Sequence, residues 1–209
     1  MKVIFAIPMS TNDACINRRR GSLARLKLQC DLNEIECKIV TVQGDEGIAT
    51  KVNKVIDMIT DEDYFCFMHD DMFVDDPNWI KTFIEIYENK ELKCGVLGLV
   101  PHNDSLIREV NDLLEFCTFA DGVMFMSTEL AESRFSEEYK AECESFDFCL
   151  EALLKGYRNY RVLLPYTHKQ TPIYKYDKGT NKRRWIDLAK HNSKWQNKMT
   201  RDKWKKIVE

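Results

Sequence analysis

The segment Tyr64-Phe65-Cys66-Phe67-Met68 constrains the fold most: five consecutive apolar residues, three of them aromatic, ending abruptly in His69-Asp70-Asp71. A run this short and this uniformly apolar has no polar face to offer water. It reads as a central parallel strand covered by helices on both sides. Lys2 to Ile7 reads the same way, and Glu36 to Val42 as a second strand. Between and after them lie helix patterns: Leu23 to Leu28, then Ile48 to Met58 with apolar residues at Ile48, Val52, Val55 and Ile59. Pro77 opens a further helix from Asn78 to Glu88, where its missing N–H costs nothing. Val96 to Val100 and Phe116 to Met126 read as strands, Phe146 to Lys155 as a helix closed by Gly156, and Tyr160 to Leu164 as the strand completing the sheet. Alternating strands and helices predict one α/β domain around a mostly parallel sheet.

At 209 residues the chain has room for one buried domain and an appendage. The boundary is drawn at His168, giving a nucleotide-binding catalytic domain over 1–168 and a basic lid and tail over 169–209. Residues 168–209 hold 13 Lys and Arg against 4 Asp and Glu, so a tail of +9 hangs on a body of −12. Such asymmetry points to an anionic partner for the tail, or to a solvated helix face. Between Lys169 and Lys182 the mixture of Pro172, Tyr174, Tyr176 and Gly179 suits a lid better than regular structure. The apolar start at Val3 is too short for a signal-peptide core, and no transmembrane segment is expected. This places the protein in the cytoplasm. The eight cysteines include no C-x-x-C pair and are expected to be reduced, structural thiols, without a zinc cluster.

In open α/β sheets ligands bind beyond the carboxyl ends of the strands. Pro8 to Asn12, Gln43 to Gly47 and His69 to Asp71 each follow a strand directly, so three loops can converge on one ligand. A carboxylate fixed at a strand end suits a hard divalent cation facing a diphosphate. The plain alternative is a cluster of turn residues.

The stretch from Tyr64 through His69-Asp70-Asp71 to Asp75-Asp76-Pro77-Asn78-Trp79 resembles the central segment of GT-A glycosyltransferases, in particular those whose D-x-D variant begins with His. Asp121-Gly122 followed by Val123 to Met126, Arg134 to Glu138, Phe146 to Tyr157 and then His168 follow the family order. The resemblance implies a single GT-A, Rossmann-like domain with a basic, partly helical C-terminal tail. It implies a metal (Mn²⁺ or Mg²⁺) on Asp71, with His69 or Asp70 facing ribose or metal waters and His168 completing the site. Pro8, Met9 and Ser10 would line the nucleobase pocket. Asp45 would approach the nucleoside, Asn53 matches a recurrent helix position, and Asp121 would lie beside the donor sugar, carried as a nucleotide-sugar such as a UDP-sugar.

Where the family has a Glu-Asp pair this chain has Glu144-Ser145, with Asp147 beyond, so either Glu144 or Asp147 is the candidate base. Acidic capping of a helix start is the bland alternative. Trp185, Trp195 and Trp204 interleave with the basic tail residues, as in a grip on displaced DNA bases. The acceptor expected on that ground is a hydroxymethylated pyrimidine in DNA, as in phage-type enzymes working in the host cytoplasm. A glycan acceptor at an anionic membrane surface is the alternative, and simple packing of Trp185, Leu188 and Trp195 on the domain is the plainest reading. An HD-type metal phosphohydrolase is disfavoured because His69-Asp70 follows a strand rather than lying on a helix. An inactive nucleotide-binding module remains as a further alternative.

Overall fold

The structure, a computed structural model, describes residues 1–9, 16–101, 105–139, 143–168, 178–198 and 205. Strand β1 (Lys2–Pro8) leads to helix α1 (Ile16–Leu32), β2 (Glu36–Val42), α2 (Ile48–Ile56), β3 (Tyr64–Met68), the short β4 (Met72–Val74) and α3 (Trp79–Glu88). Strands β5 (Cys94–Pro101), β6 (Ile107–Asn111), β7 (Leu114–Cys117) and β8 (Ala120–Ser127) follow, then α4 (Thr128–Ala131), α5 (Glu144–Leu154), β9 (Arg158–Val162), β10 (Tyr166–His168) and α6 (Lys178–Lys198).

The main sheet has eight strands in the order β2-β1-β3-β8-β5-β9-β7-β6. Six strands share one direction, and only β8 and β7 run against them, which makes the sheet mainly parallel. The alternation of side chains explains why both faces must be covered. Val3, Phe5 and Ile7 pack into the core on one face with Leu26, Trp79 and Phe83, whereas Ile4 and Ala6 pack on the other with Val52, Val55 and Phe135. Within β3, Cys66 and Met68 go to the first face and Phe65 and Phe67 to the second. All five residues of β3 are buried.

Several expectations change in detail. The stretch Phe116 to Met126 is two strands, β7 and β8, separated at Thr118–Phe119, so β8 can insert antiparallel between β3 and β5. The edge of the sheet opposite β2 is β6, a strand with every residue exposed, and the strand at Tyr160, β9, lies inside it. Cys30 and Cys37 are joined by a disulfide, against the expectation of reduced thiols throughout. The turn from the end of α1 into β2 brings their Cα atoms to 6.1 Å, inside the range a disulfide spans. Cys66, Cys94, Cys117, Cys143 and Cys149 are free and buried, as expected of structural thiols.

The tail is helical where it is described, and it is docked. Trp195 is buried, and its Nε1 donates to Asp147 Oδ1 at 2.8 Å. Lys194 Nζ donates to Asp147 Oδ2 at 2.7 Å, and Lys198 pairs with Glu151 at 2.8 Å. An indole and two ammonium groups assigned to a nucleic-acid grip therefore hold α6 to α5. The side chain of Trp185, Trp204 and the segment 169–177 of the expected lid lie outside the described residues. Among the described residues no helix is long and apolar enough to cross a membrane.

His191 packs in the same interface against Tyr139, Phe146 and Trp195, and its Nε2 is buried with no hydrogen-bond partner among the described residues. Burial, partly opposed by Asp147 and Glu138 and reinforced by Lys194, lowers its pKa below the ordinary 6.5. The unfolded chain therefore takes up a proton before the folded one does, and stability present above pH 6.5 is lost as the pH falls below it. We expect thermal melts from pH 8 to pH 5 to show a fall in Tm that is shallower in His191→Leu. Parallel slopes for the two proteins would assign the fall to other groups.

Candidate active site

The strand ends build the site. β3 stops at Met68, and His69 N donates to Gly122 O at 3.0 Å, which ties the end of β3 to the start of the antiparallel β8. Gly122 has φ +76°, and a Cβ there would press on Val100 and Met72, so the residue next to Asp121 has to be glycine. Asp121 is thereby set across from His69, with Oδ1 3.4 Å from Nε2. The two are close enough for electrostatic attraction but not aligned as a hydrogen bond, and Asp121 Oδ1 is buried without a partner among the described residues.

A tight turn, Met72 N to His69 O, then starts β4, whose pairing with β10 sets His168 opposite Met72. His168 Nε2 consequently lies 3.3 Å from Asp71 Oδ1. Helix α1 steadies β4: Gln29 Nε2 donates to Val74 O at 3.0 Å, and Arg25 pairs with Asp75 at 3.1 Å. Ligand atoms of His69, Asp71 and His168 all fall within 4.8 Å of one another. Atoms bound at about 2.0–2.2 Å to one cation are at most about 4.4 Å apart, so the cluster closes on an ion with sub-ångström shifts. The four side chains keep between 21% and 28% of their surface exposed, which leaves the cluster open to a solute. Burial alone would raise the pKa of Asp71, but the hydrogen bond from His168 and the charges of both histidines bring it below the ordinary value. Two imidazoles, one carboxylate and a nearby orphaned carboxylate oxygen fit a divalent transition metal such as Mn²⁺ better than Mg²⁺, which favours all-oxygen shells.

The remaining candidates are spread along the same edge or displaced from it. Pro8 pairs with Val42 at the end of β1, and Met9 is buried there with its carbonyl accepting from Lys51 Nζ at 3.2 Å; Ser10 lies outside the described residues. Asp45 lines a cleft of about 410 Å³ with Gly47, Thr50 and residues of α6. Asp70 is not one of the three clustered ligands; its backbone carbonyl accepts from Ser22 Oγ at 3.4 Å. The side chain of Asn53, on α2, is engaged within the domain. Its amide donates to Phe135 O and Glu137 Oε1, and its Oδ1 accepts from Phe135 N, so the side chain clamps a loop. Asp147, 3% exposed, accepts from Tyr139 OH at 3.2 Å besides Trp195 and Lys194, so both its oxygens are engaged. Glu144 is buried in the first turn of α5. Sequence reasoning assigned no role at this site to Lys51, Tyr139 or Lys194, since a polar residue's long-range partner leaves no local pattern.

The model of a family described as glycosyltransferase-like matches residues 7–155. The chain belongs to this family. The fold agrees: the mannosyltransferase PcManGT from Pyrobaculum calidifontis, solved with GDP-Man and Mn²⁺, superposes with a TM-score of 0.67 at 12% identity, over 99% of this chain and 67% of that one. The catalytic domain of Drosophila beta1,4galactosyltransferase 7 in complex with xylobiose gives 0.61 at 15% identity, over 88% of this chain and 79% of the other. Staphylococcus aureus (S. aureus) TarS gives 0.50 at 16% identity, over 82% and 37%. No sequence among the curated proteins matches. The glycosyltransferase thus has the GT-A fold, and its His69-Asp70 pair closes a strand, which leaves the helical phosphohydrolase reading without its scaffold.

We expect Mn²⁺ at about 100 times its Kd to stabilise the enzyme by about 2.7 kcal/mol, or roughly 5–10 °C in Tm for a chain of this size. Asp71→Asn and His168→Ala should lose most of that shift in a thermal-shift titration. Equal shifts in all three proteins would place the ion elsewhere.

Proposed function

We propose that the enzyme transfers a sugar from a nucleoside diphosphate sugar, in the first instance a UDP-sugar, to an acceptor hydroxyl, with Mn²⁺ held by His69, Asp71 and His168. The observation that carries this reading is the His-Asp-His cluster at the end of β3, beside the unpartnered Asp121 Oδ1, in a chain of the glycosyltransferase-like family. A bound divalent ion would supply positive charge to the departing diphosphate.

The chain's own residues do the rest. Asp71 and the two imidazoles fix where the diphosphate lies, and Asp121 faces the sugar. Along the sheet edge the order is β2-β1-β3, so the loop bearing Asp45 is two strand spacings, about 10 Å, from His69. That span matches a nucleoside joined to a diphosphate. The acceptor oxygen bonds to the anomeric carbon as the bond from that carbon to the diphosphate oxygen breaks, and the electron pair leaves with the nucleoside diphosphate. The acceptor proton passes to a carboxylate. Glu144 and Asp147, both in the first turn of α5, are the candidates for this part, and both oxygens of Asp147 already accept hydrogen bonds.

For the acceptor, a sugar hydroxyl is the reading the structure favours. The DNA reading drew on aromatic and basic groups of the tail, and of these Trp195 is buried while Lys194 and Lys198 are paired with carboxylates of the domain. What supports DNA is the net +9 of the tail. Xylobiose accompanies the Drosophila galactosyltransferase, which makes short oligosaccharides the first acceptors to try.

The test is a matrix of UDP- and GDP-sugars against oligosaccharides and hydroxymethylated duplex DNA, with Mn²⁺ or excess EDTA. We expect slow donor hydrolysis with Mn²⁺, its loss in EDTA or in Asp71→Asn by about 100-fold or more, and transfer to an oligosaccharide. Turnover undiminished by EDTA would overturn the metal site. Salt-sensitive transfer to DNA alone would restore the nucleic-acid acceptor.

A further inference from the structure

The cleft of about 410 Å³ beside Asp45 has two walls of different origin. One is the β2–α2 connection with the start of α2, through Asp45, Glu46, Gly47 and Thr50; the other is the C-terminal helix, through Ile186, Asp187 and Lys190. Its volume falls in the range of small-molecule sites, and its lining mixes carboxylates, a hydroxyl, an ammonium and one apolar side chain. That mixture suits a nucleoside. The exposed Asp45 carboxylate can accept from ribose hydroxyls or ring N–H groups, while the half-exposed Ile186 offers a flat base an apolar face. Gly47 adds no side chain that would fill the space.

Helical geometry connects this wall to Asp147. Ile186, Lys190 and Lys194 lie four residues apart on one row of α6, and Asp187, His191 and Trp195 lie on the neighbouring row. Lys194 and Trp195 are the two residues that Asp147 grips, at 2.7 and 2.8 Å. At about 1.5 Å per residue, the grip is about 6 Å along the helix from Lys190 and about 12 Å from Asp187. Fixing one end of so short a stretch sets the direction in which the other end faces. Lys190 is in turn steadied by Glu138 O at 3.2 Å.

Resting on the donor reading given above, we propose that α6 is the second wall of the nucleoside site and that Asp147 is a positioning residue which holds it there. The C-terminal helix then belongs to donor recognition, with Lys190 and Ile186 contacting the nucleoside, and the carboxylate of Asp147 takes no proton from the acceptor. A base must reach the hydroxyl with a lone pair, and the Asp147 carboxylate, 3% exposed, is closed in by hydrogen bonds from Tyr139, Lys194 and Trp195.

The experiment uses the full chain, titrated calorimetrically with UDP and with GDP in MnCl₂, together with steady-state donor kinetics. Wild type is compared with Lys190→Ala, whose side chain is exposed and whose loss leaves the core intact, and with Asp147→Asn and Trp195→Phe, each checked by circular dichroism. Lys190→Ala should weaken binding of the preferred nucleotide by roughly 3- to 10-fold, the effect of one lost hydrogen bond. Asp147→Asn and Trp195→Phe should raise the donor KM by about tenfold while kcat at saturating donor stays within about threefold. A fall in kcat of about 100-fold or more for Asp147→Asn at unchanged donor KM would make it the base and overturn the proposal. Wild-type affinity in Lys190→Ala and Asp147→Asn alike would remove α6 from the site. A wild type that binds neither UDP nor GDP would instead defeat the donor reading on which this rests.

Discussion

Three backbone-paired residues hold the site together. Strand β10 lies on β4 antiparallel, Tyr166 on Val74 and His168 on Met72, and this ribbon delivers an imidazole from the far end of the domain to Asp71. Closing a loop of about a hundred residues costs about 4 kcal/mol in chain entropy, which one short ribbon does not offset alone. The rest comes from the braces around it. Asp75 N donates to Pro165 O, Thr167 Oγ1 to Asp75 Oδ2, and Arg25 reaches both the carboxylate and the carbonyl of Asp75. Helix α1, which supplies none of the three clustered ligands, is thus part of what makes the ligand set.

Much of this was legible in the sequence because it is local. The apolar run Tyr64–Met68 can only be a doubly covered strand, and the polar triplet after it must then lie at the sheet's ligand-binding edge. Gly156 ends α5 with φ +88°, as its place after a helix pattern indicates. The elements that were misread are those whose identity depends on distant partners. Strands β4 and β10 are three residues each and exist only through each other. Strand β8 has the same apolar texture as its neighbours, and nothing in its own residues records that it runs backwards. The Cys30–Cys37 link depends on how the chain turns between α1 and β2, which no spacing rule states.

The tail shows the limit of reading charge as function. Its lysines form a basic run in the sequence, yet Lys194 and Lys198 face Asp147, Glu138 and Glu151 of the acidic body. Opposite charge on two parts of one chain describes an internal interface as well as an external partner. Trp195 was the clue: an indole four residues from a histidine and eight from an aspartate makes a stripe along one helix face, with the character of a seam.

The reversal of β8 has a consequence for how the molecule assembles. On one side lie β2, β1 and β3, from the first third of the chain; on the other lie β5, β9, β7 and β6, from the remainder. Within the main sheet the two blocks meet only through β8, which pairs with β3 by one edge and β5 by the other. Strand β8 is therefore the stitch between these two blocks of strands. His69 and Asp71 come from one block, and Asp121 and His168 from segments that follow β5. The ligand set cannot pre-exist in either half, and it comes into being in the same event that closes the sheet.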